Sequence, residues 1–120
     1  MWIAIAAASG CLAVVAGAFG AHGLRARVGA EQLSAWSTAS EYHLLHSVVL
    51  LALALHAAQS GASVRWPASL FAAGILLFSG SLYALVLGGP RALGPVTPLG
   101  GLLLIAGWLS LLALLPWGKP

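Results

Sequence analysis

Four long apolar stretches, near residues 2–21, 41–59, 67–87 and 96–117, occupy most of this 120-residue chain and decide what it can become. A helix needs about 20 mostly apolar residues to cross the ~30 Å hydrocarbon core of a bilayer. The first, third and fourth stretches reach that length outright. The second reaches it once Glu41, Tyr42 and His43 are counted at its interfacial end. Charge supplies the complementary argument: 61% of residues are hydrophobic and 6% charged, against roughly 25% charged in a soluble domain. Seven formal charges cannot coat a globule of this size, whereas lipid solvates apolar surface freely and makes charge costly. The expected fold is all-α: a single integral membrane domain over residues 1–120, with four transmembrane helices in an antiparallel bundle. Met1-Trp2-Ile3 lacks a basic region of the kind that opens a secretory signal, so the first stretch is read as helix one.

The connections agree with this reading. Gly61-Ala62-Ser63-Val64-Arg65 makes a short turn, and Pro67 suits the first turn of the third helix. Gly88-Gly89-Pro90-Arg91 ends that helix, and Gly94-Pro95 with Thr97-Pro98 opens the fourth. The first connection is longer, and Gln32, Trp36, Ser40, His43 and Ser47 recur in it at about one helical turn. That spacing predicts a short interfacial helix running into the second span with little break. Small residues at Ala13, Gly17, Ala21, Gly74, Gly80, Gly101 and Gly107 are read as helix-packing positions, since small side chains let backbones approach closely in lipid.

The charged residues Arg25, Arg27, Glu31, Glu41 and Arg91 fall at interfacial positions, where arginines anchor to lipid phosphates and the two acids pair with nearby Arg25 and Arg27. A net charge of +3 without a basic run excludes a nucleic-acid partner. Arg25, Arg27 and Arg91 lie in loops one and three, and Arg65 and Lys119 lie on the other side with the termini. The positive-inside tendency therefore favours both termini outside the cytoplasm, in the cell inner membrane.

In an antiparallel bundle, loops one and three share a membrane face, and the polar residues gather there. His22, His43, His46, Ser79, Tyr83 and Thr97 define a candidate polar pocket on that side, because polar groups in lipid turn toward the bundle interior. Several readings compete for the histidines. His43 and His46 share a helix face, and His22 could join them as a third nitrogen ligand to zinc; alternatively His22 bonds a helix end while the other two bond across helices. Haem would require histidines at matching depth on facing helices, and His56 sits too deep to pair. Glu31 and Glu41 are the only acids and neither lies mid-membrane. No catalytic residues, metal or cofactor are assigned.

The motif Gly17-Ala18-Phe19-Gly20-Ala21-His22-Gly23-Leu24 resembles the signature of the YgdD-like small membrane proteins, a domain-of-unknown-function family. Trp36-Ser37-Thr38-Ala39 with Tyr42 and His46, Leu77 through Tyr83, and Thr97 through Gly101 with Gly107-Trp108 carry the resemblance along the whole chain. It implies a four-helix inner-membrane protein and brings no activity, substrate or cofactor with it. The family pattern has glutamine after the tyrosine where this chain has His43, so a His43–His46 metal pair would be peculiar to this sequence. His22, His46 and Tyr83 fit the pattern.

The functional expectation is a non-enzymatic membrane component that packs with itself as a homo-oligomer or within a larger membrane complex, with the lipid bilayer as its constant partner. A small transporter or channel gated by the polar pocket is the alternative, and a metal- or lipid-handling enzyme using His22 and His46 is the weaker one.

Overall fold

The structure is a computed structural model that describes residues 1–115; the expected end of the fourth span at Trp117, and Lys119, lie outside the described residues. Helix α1 runs Trp2–Phe19 and continues through one π-helical turn, Gly20–Leu24. Helix α2 spans Ala30–Ser60, α3 Arg65–Val86 and α4 Val96–Ser110, with short 3₁₀ turns at Arg91–Leu93 and Leu111–Leu114. Four segments are long and apolar enough to cross a membrane: Trp2–Leu24, Ala30–Ser60, Arg65–Val86 and Arg91–Leu114.

Local chemistry sets these ends. The Gln32 side chain accepts from the Gly29 backbone N–H at 3.0 Å and starts α2. Gly61, at φ 70°, closes it in the left-handed conformation glycine adopts at least cost, its N–H bonded to the Ala57 carbonyl. Gly88, at φ 92°, does the same after α3. Pro67 is the third residue of α3, where its missing N–H had no helical partner to lose. The stretch expected as a separate interfacial helix is the opening of α2 itself: the chain is helical from Ala30 onward, 31 residues without interruption.

The helices pack in chain order, α1 on α2, α2 on α3 and α3 on α4, and α1 and α4 make no comparable contact. Antiparallel register is visible in the facing pairs Gly17–Ser40 and Gly10–Ser47, then Gly74–Leu104 and Gly107–Phe71. The result is an antiparallel helical bundle, 57 × 26 × 20 Å; with each helix about 10 Å across, its thickness is two helices. Its core centres on Leu50, Ala68 and Phe71, flanked by Ala6, Ile75 and Leu104. A second cluster of Leu24, Trp36 and Val86, with Tyr83 against it, closes the loop one and three end.

Candidate functional site

Buried and half-buried polar side chains on three helices join into one chain of hydrogen bonds. The His43 Nδ1 atom lies 3.1 Å from the Tyr83 hydroxyl and its Nε2 lies 3.1 Å from Ser9 Oγ. Ser9 Oγ is 2.6 Å from Ser47 Oγ, and the Ser47 hydroxyl donates to the His43 carbonyl at 2.7 Å. Counting protons fixes the direction of every link. A carbonyl only accepts, so the Ser47 proton goes there and Ser9 must donate to Ser47. Ser9 is then free only to accept, so His43 Nε2 carries the ring proton, and neutral Nδ1 accepts from Tyr83. The chain ties α1, α2 and α3 together at one level.

His46 belongs to a separate arrangement. The Trp108 indole donates to its Nε2 at 3.1 Å, which leaves Nδ1 to donate to the Tyr42 carbonyl at 2.7 Å. Both ring nitrogens are therefore engaged, and the ring also packs against Phe71 and Trp108 with centroids 5.7 and 6.1 Å away. Ser79 donates to the Ala39 carbonyl at 2.7 Å. Ser81 donates to the Phe78 carbonyl, so Thr97 donates to Ser81 across 2.6 Å, linking α3 to α4. Of the six residues placed in the polar pocket by sequence, the structure joins only His43 and Tyr83 directly. His46, Ser79 and Thr97 each bond elsewhere, and His22 is exposed on the π-helical turn. Among the described residues no group of three or more His, Cys, Asp or Glu side chains is placed to hold a metal ion.

The small residues divide in the same way. A Cβ at Gly74 would lie 2.6 Å from Leu104 and one at Gly107 2.9 Å from Phe71, so these glycines set the α3–α4 spacing. Gly17 and Gly101 face Ser40 and Phe78 at ordinary contact distance, Ala13 is buried, Ala21 is exposed, and nothing lies within 4 Å of the Gly80 position. Two closer approaches belong to glycines not singled out from the sequence as packing positions. Gly100 meets the backbone of Phe78, and a Cβ at Gly20 would lie 2.5 Å from the Trp36 ring. Arg25, Arg27, Glu31, Glu41 and Arg91 are all exposed, with Glu41 accepting from Ser37 at 3.1 Å.

Sequence reasoning also missed Ser9 and Trp108 as partners of the two histidines. Ser9 is a hydroxyl inside an alanine-rich span, which is the available signal, since such a group seeks a bond across helices in lipid.

Two hollows complete the surface. A groove of about 780 Å³ runs between α1 and α3 over α2, walled by apolar side chains including Leu12, Val15, Ile75 and Leu76. A smaller notch of about 340 Å³ lies where α1 meets the start of α2, bordered by Gly17, Gly20, Ala21, Arg25, Trp36 and Ser37.

Comparison with known proteins gives a consistent result. A family model described as "Protein of unknown function (DUF423)" matches residues 16–101. A UPF0382 membrane protein of Staphylococcus aureus is 41% identical over 112 residues, covering 93% of this chain and 92% of the relative. Proteins of the same description from Schizosaccharomyces pombe and Haemophilus influenzae are 41% and 42% identical, covering 90% and 92% of this chain and 95% and 89% of their own lengths. No solved structure matches the chain.

Proposed function

Because the chain belongs to this DUF423 family of multi-pass membrane proteins of uncharacterised activity, we propose that it works without chemistry of its own, as an accessory component whose open groove receives a further transmembrane helix. The groove carries the reading. It is apolar along its walls and opens between α1 and α3, which make no extensive contact with each other. A helix seated there gains close packing, which drives association in lipid where hydrophobic transfer cannot. The polar groups support the same view. Among the described residues no buried side-chain nitrogen or oxygen lacks a hydrogen-bond partner, so the buried histidines and hydroxyls are engaged within the fold. The chain through His43 returns to a backbone carbonyl, which offers a proton no onward path and weakens the transport alternative.

The reading includes a place and an orientation. Arg25, Arg27 and Arg91 in loops one and three outnumber Arg65 and Lys119 on the opposite side by three to two, which favours those two loops in the cytoplasm and both termini outside the cell inner membrane.

The test is crosslinking in native membranes from a Cys11→Ala background, with Leu12→Cys or Leu76→Cys at the groove. A single stoichiometric adduct is expected, and its mass distinguishes a second copy of this chain from another subunit. Leu109→Cys, on the exposed face of α4, serves as control. Equal adducts from all three positions, or none from the groove, would overturn the proposal.

A further inference from the structure

The geometry points to a binding site for the phosphodiester headgroup of a membrane phospholipid in the notch between α1 and α2, with Arg25 as its cation. This site is distinct from the groove and independent of what fills that groove.

The notch follows from the residues that border it. Gly17 and Ala21 border it on α1 with almost no side chain, and the Trp36 ring, packed directly against Gly20, borders it from α2. Trp36 is held in place at its polar end, where the indole N–H donates to the Ala16 carbonyl at 2.7 Å. Its ring is also held by Phe19, packed edge-on, and by Tyr83, packed at a tilt, with centroids 5.6 and 4.6 Å away. The tryptophan therefore cannot swing in to fill the space, and a hollow of about 340 Å³ stays open to the membrane surface.

Depth selects the occupant. Counting from Trp2 at 1.5 Å per residue, Gly17 to Ala21 lie about 22 to 28 Å along α1, at the far edge of a ~30 Å hydrocarbon layer. That is the level of glycerol and phosphate. Arg25 stands one turn further out, exposed, and no described residue bonds to its guanidinium. A guanidinium offers paired N–H groups that match two phosphate oxygens, and it is the side chain best suited to phosphate recognition. The other polar border residue does not compete for the ligand, because the Ser37 hydroxyl donates to Glu41. That nearby carboxylate opposes a second negative charge, so the site suits the single charge of a phosphodiester over a phosphate dianion. The bare wall of small residues then accepts the glycerol, and the acyl chains leave into the bilayer.

The test uses the full chain purified in detergent and native mass spectrometry with phosphatidylglycerol titrated in. One retained lipid per chain is expected, with diacylglycerol of the same acyl composition failing to compete. Arg25→Gln should weaken retention about tenfold, as expected for loss of a charge-assisted hydrogen bond. Ala21→Leu, which fills the notch but keeps every charge, should weaken it as well. Both positions are exposed, so thermal midpoints should stay at the wild-type value. Arg91→Gln, on the same membrane face but away from the notch, should retain lipid normally. Wild-type retention by Arg25→Gln, or equal loss in Arg91→Gln, would overturn the site. Displacement of the lipid by millimolar inorganic phosphate would overturn its assignment to a lipid.

Discussion

His43 accepts a proton at one ring nitrogen and donates one at the other, and that pairing of roles matters more than the imidazole itself. A glutamine amide has the same two functions, an oxygen that accepts and an N–H that donates. A glutamine at this position would meet the same requirement that His43 meets here, to join Tyr83 and Ser9 across α2. His43→Gln should therefore shift the thermal midpoint in detergent little. His43→Leu should lower stability by about 1–3 kcal/mol, because it leaves the tyrosine hydroxyl and Ser9 short of partners. Equal melting of the two variants would contradict the assigned directions. Trp108→Phe keeps a ring against His46 and Phe71 but removes the indole donor, and should cost about 1 kcal/mol in the same measurement. The sequence identified His43, His46 and Tyr83 as inward-facing polar residues because lipid forces that orientation. It could not supply Ser9 or Trp108 as partners, since those pairings depend on the register between helices. His22 read as a pocket residue because it ends an apolar run, yet the π-helical turn places it at the surface.

At the scale of helices, the contrast between Gly100 and Gly80 shows where close approach is required. Gly100 presses on the backbone of Phe78, which cannot move aside as a flexible side chain can, whereas Gly80 faces open space. Gly100→Ala should force α3 and α4 apart and cost about 1–3 kcal/mol or more by overpacking. Gly80→Ala should be neutral or stabilising by up to about 1 kcal/mol, through helix propensity alone. Thermal denaturation of the two variants side by side checks both, and a larger loss at Gly80 would refute this account of the α3–α4 seam. The glycine-rich start of α4 was legible as a packing surface, but Gly101 was chosen over its neighbour Gly100. One residue is a 100° rotation on a helix, and hydropathy carries too little asymmetry in lipid to fix that angle. The continuity of α2 was nearly legible: polar and aromatic residues at helical spacing from Gln32 to Ser47 anticipated a helix feeding the span, and only the expected boundary with it is missing.

For the whole molecule, the antiparallel order puts loops one and three on one membrane face and loop two on the other. In a Cys11→Ala background, Arg27→Cys and Arg91→Cys should react with a membrane-impermeant maleimide only after the cell is permeabilised. Arg65→Cys should react in intact cells. Labelling of all three from one side would refute the antiparallel arrangement, and the reverse pattern would invert the orientation. The four spans were legible because composition alone demands lipid. The groove between α1 and α3 was not, because an apolar helix face reads the same whether a neighbour or an acyl chain covers it. Helix α2 is also longer than the layer it crosses: 31 residues extend about 46 Å against ~30 Å of hydrocarbon. The excess lies on this helix and on the arm from Gly20 to Leu24 folded along its start. A thicker or thinner bilayer therefore meets the protein as a float meets a changing waterline, wetting more or less of one amphiphilic collar. The seams below stay in register, and one chain suits membranes of unequal depth.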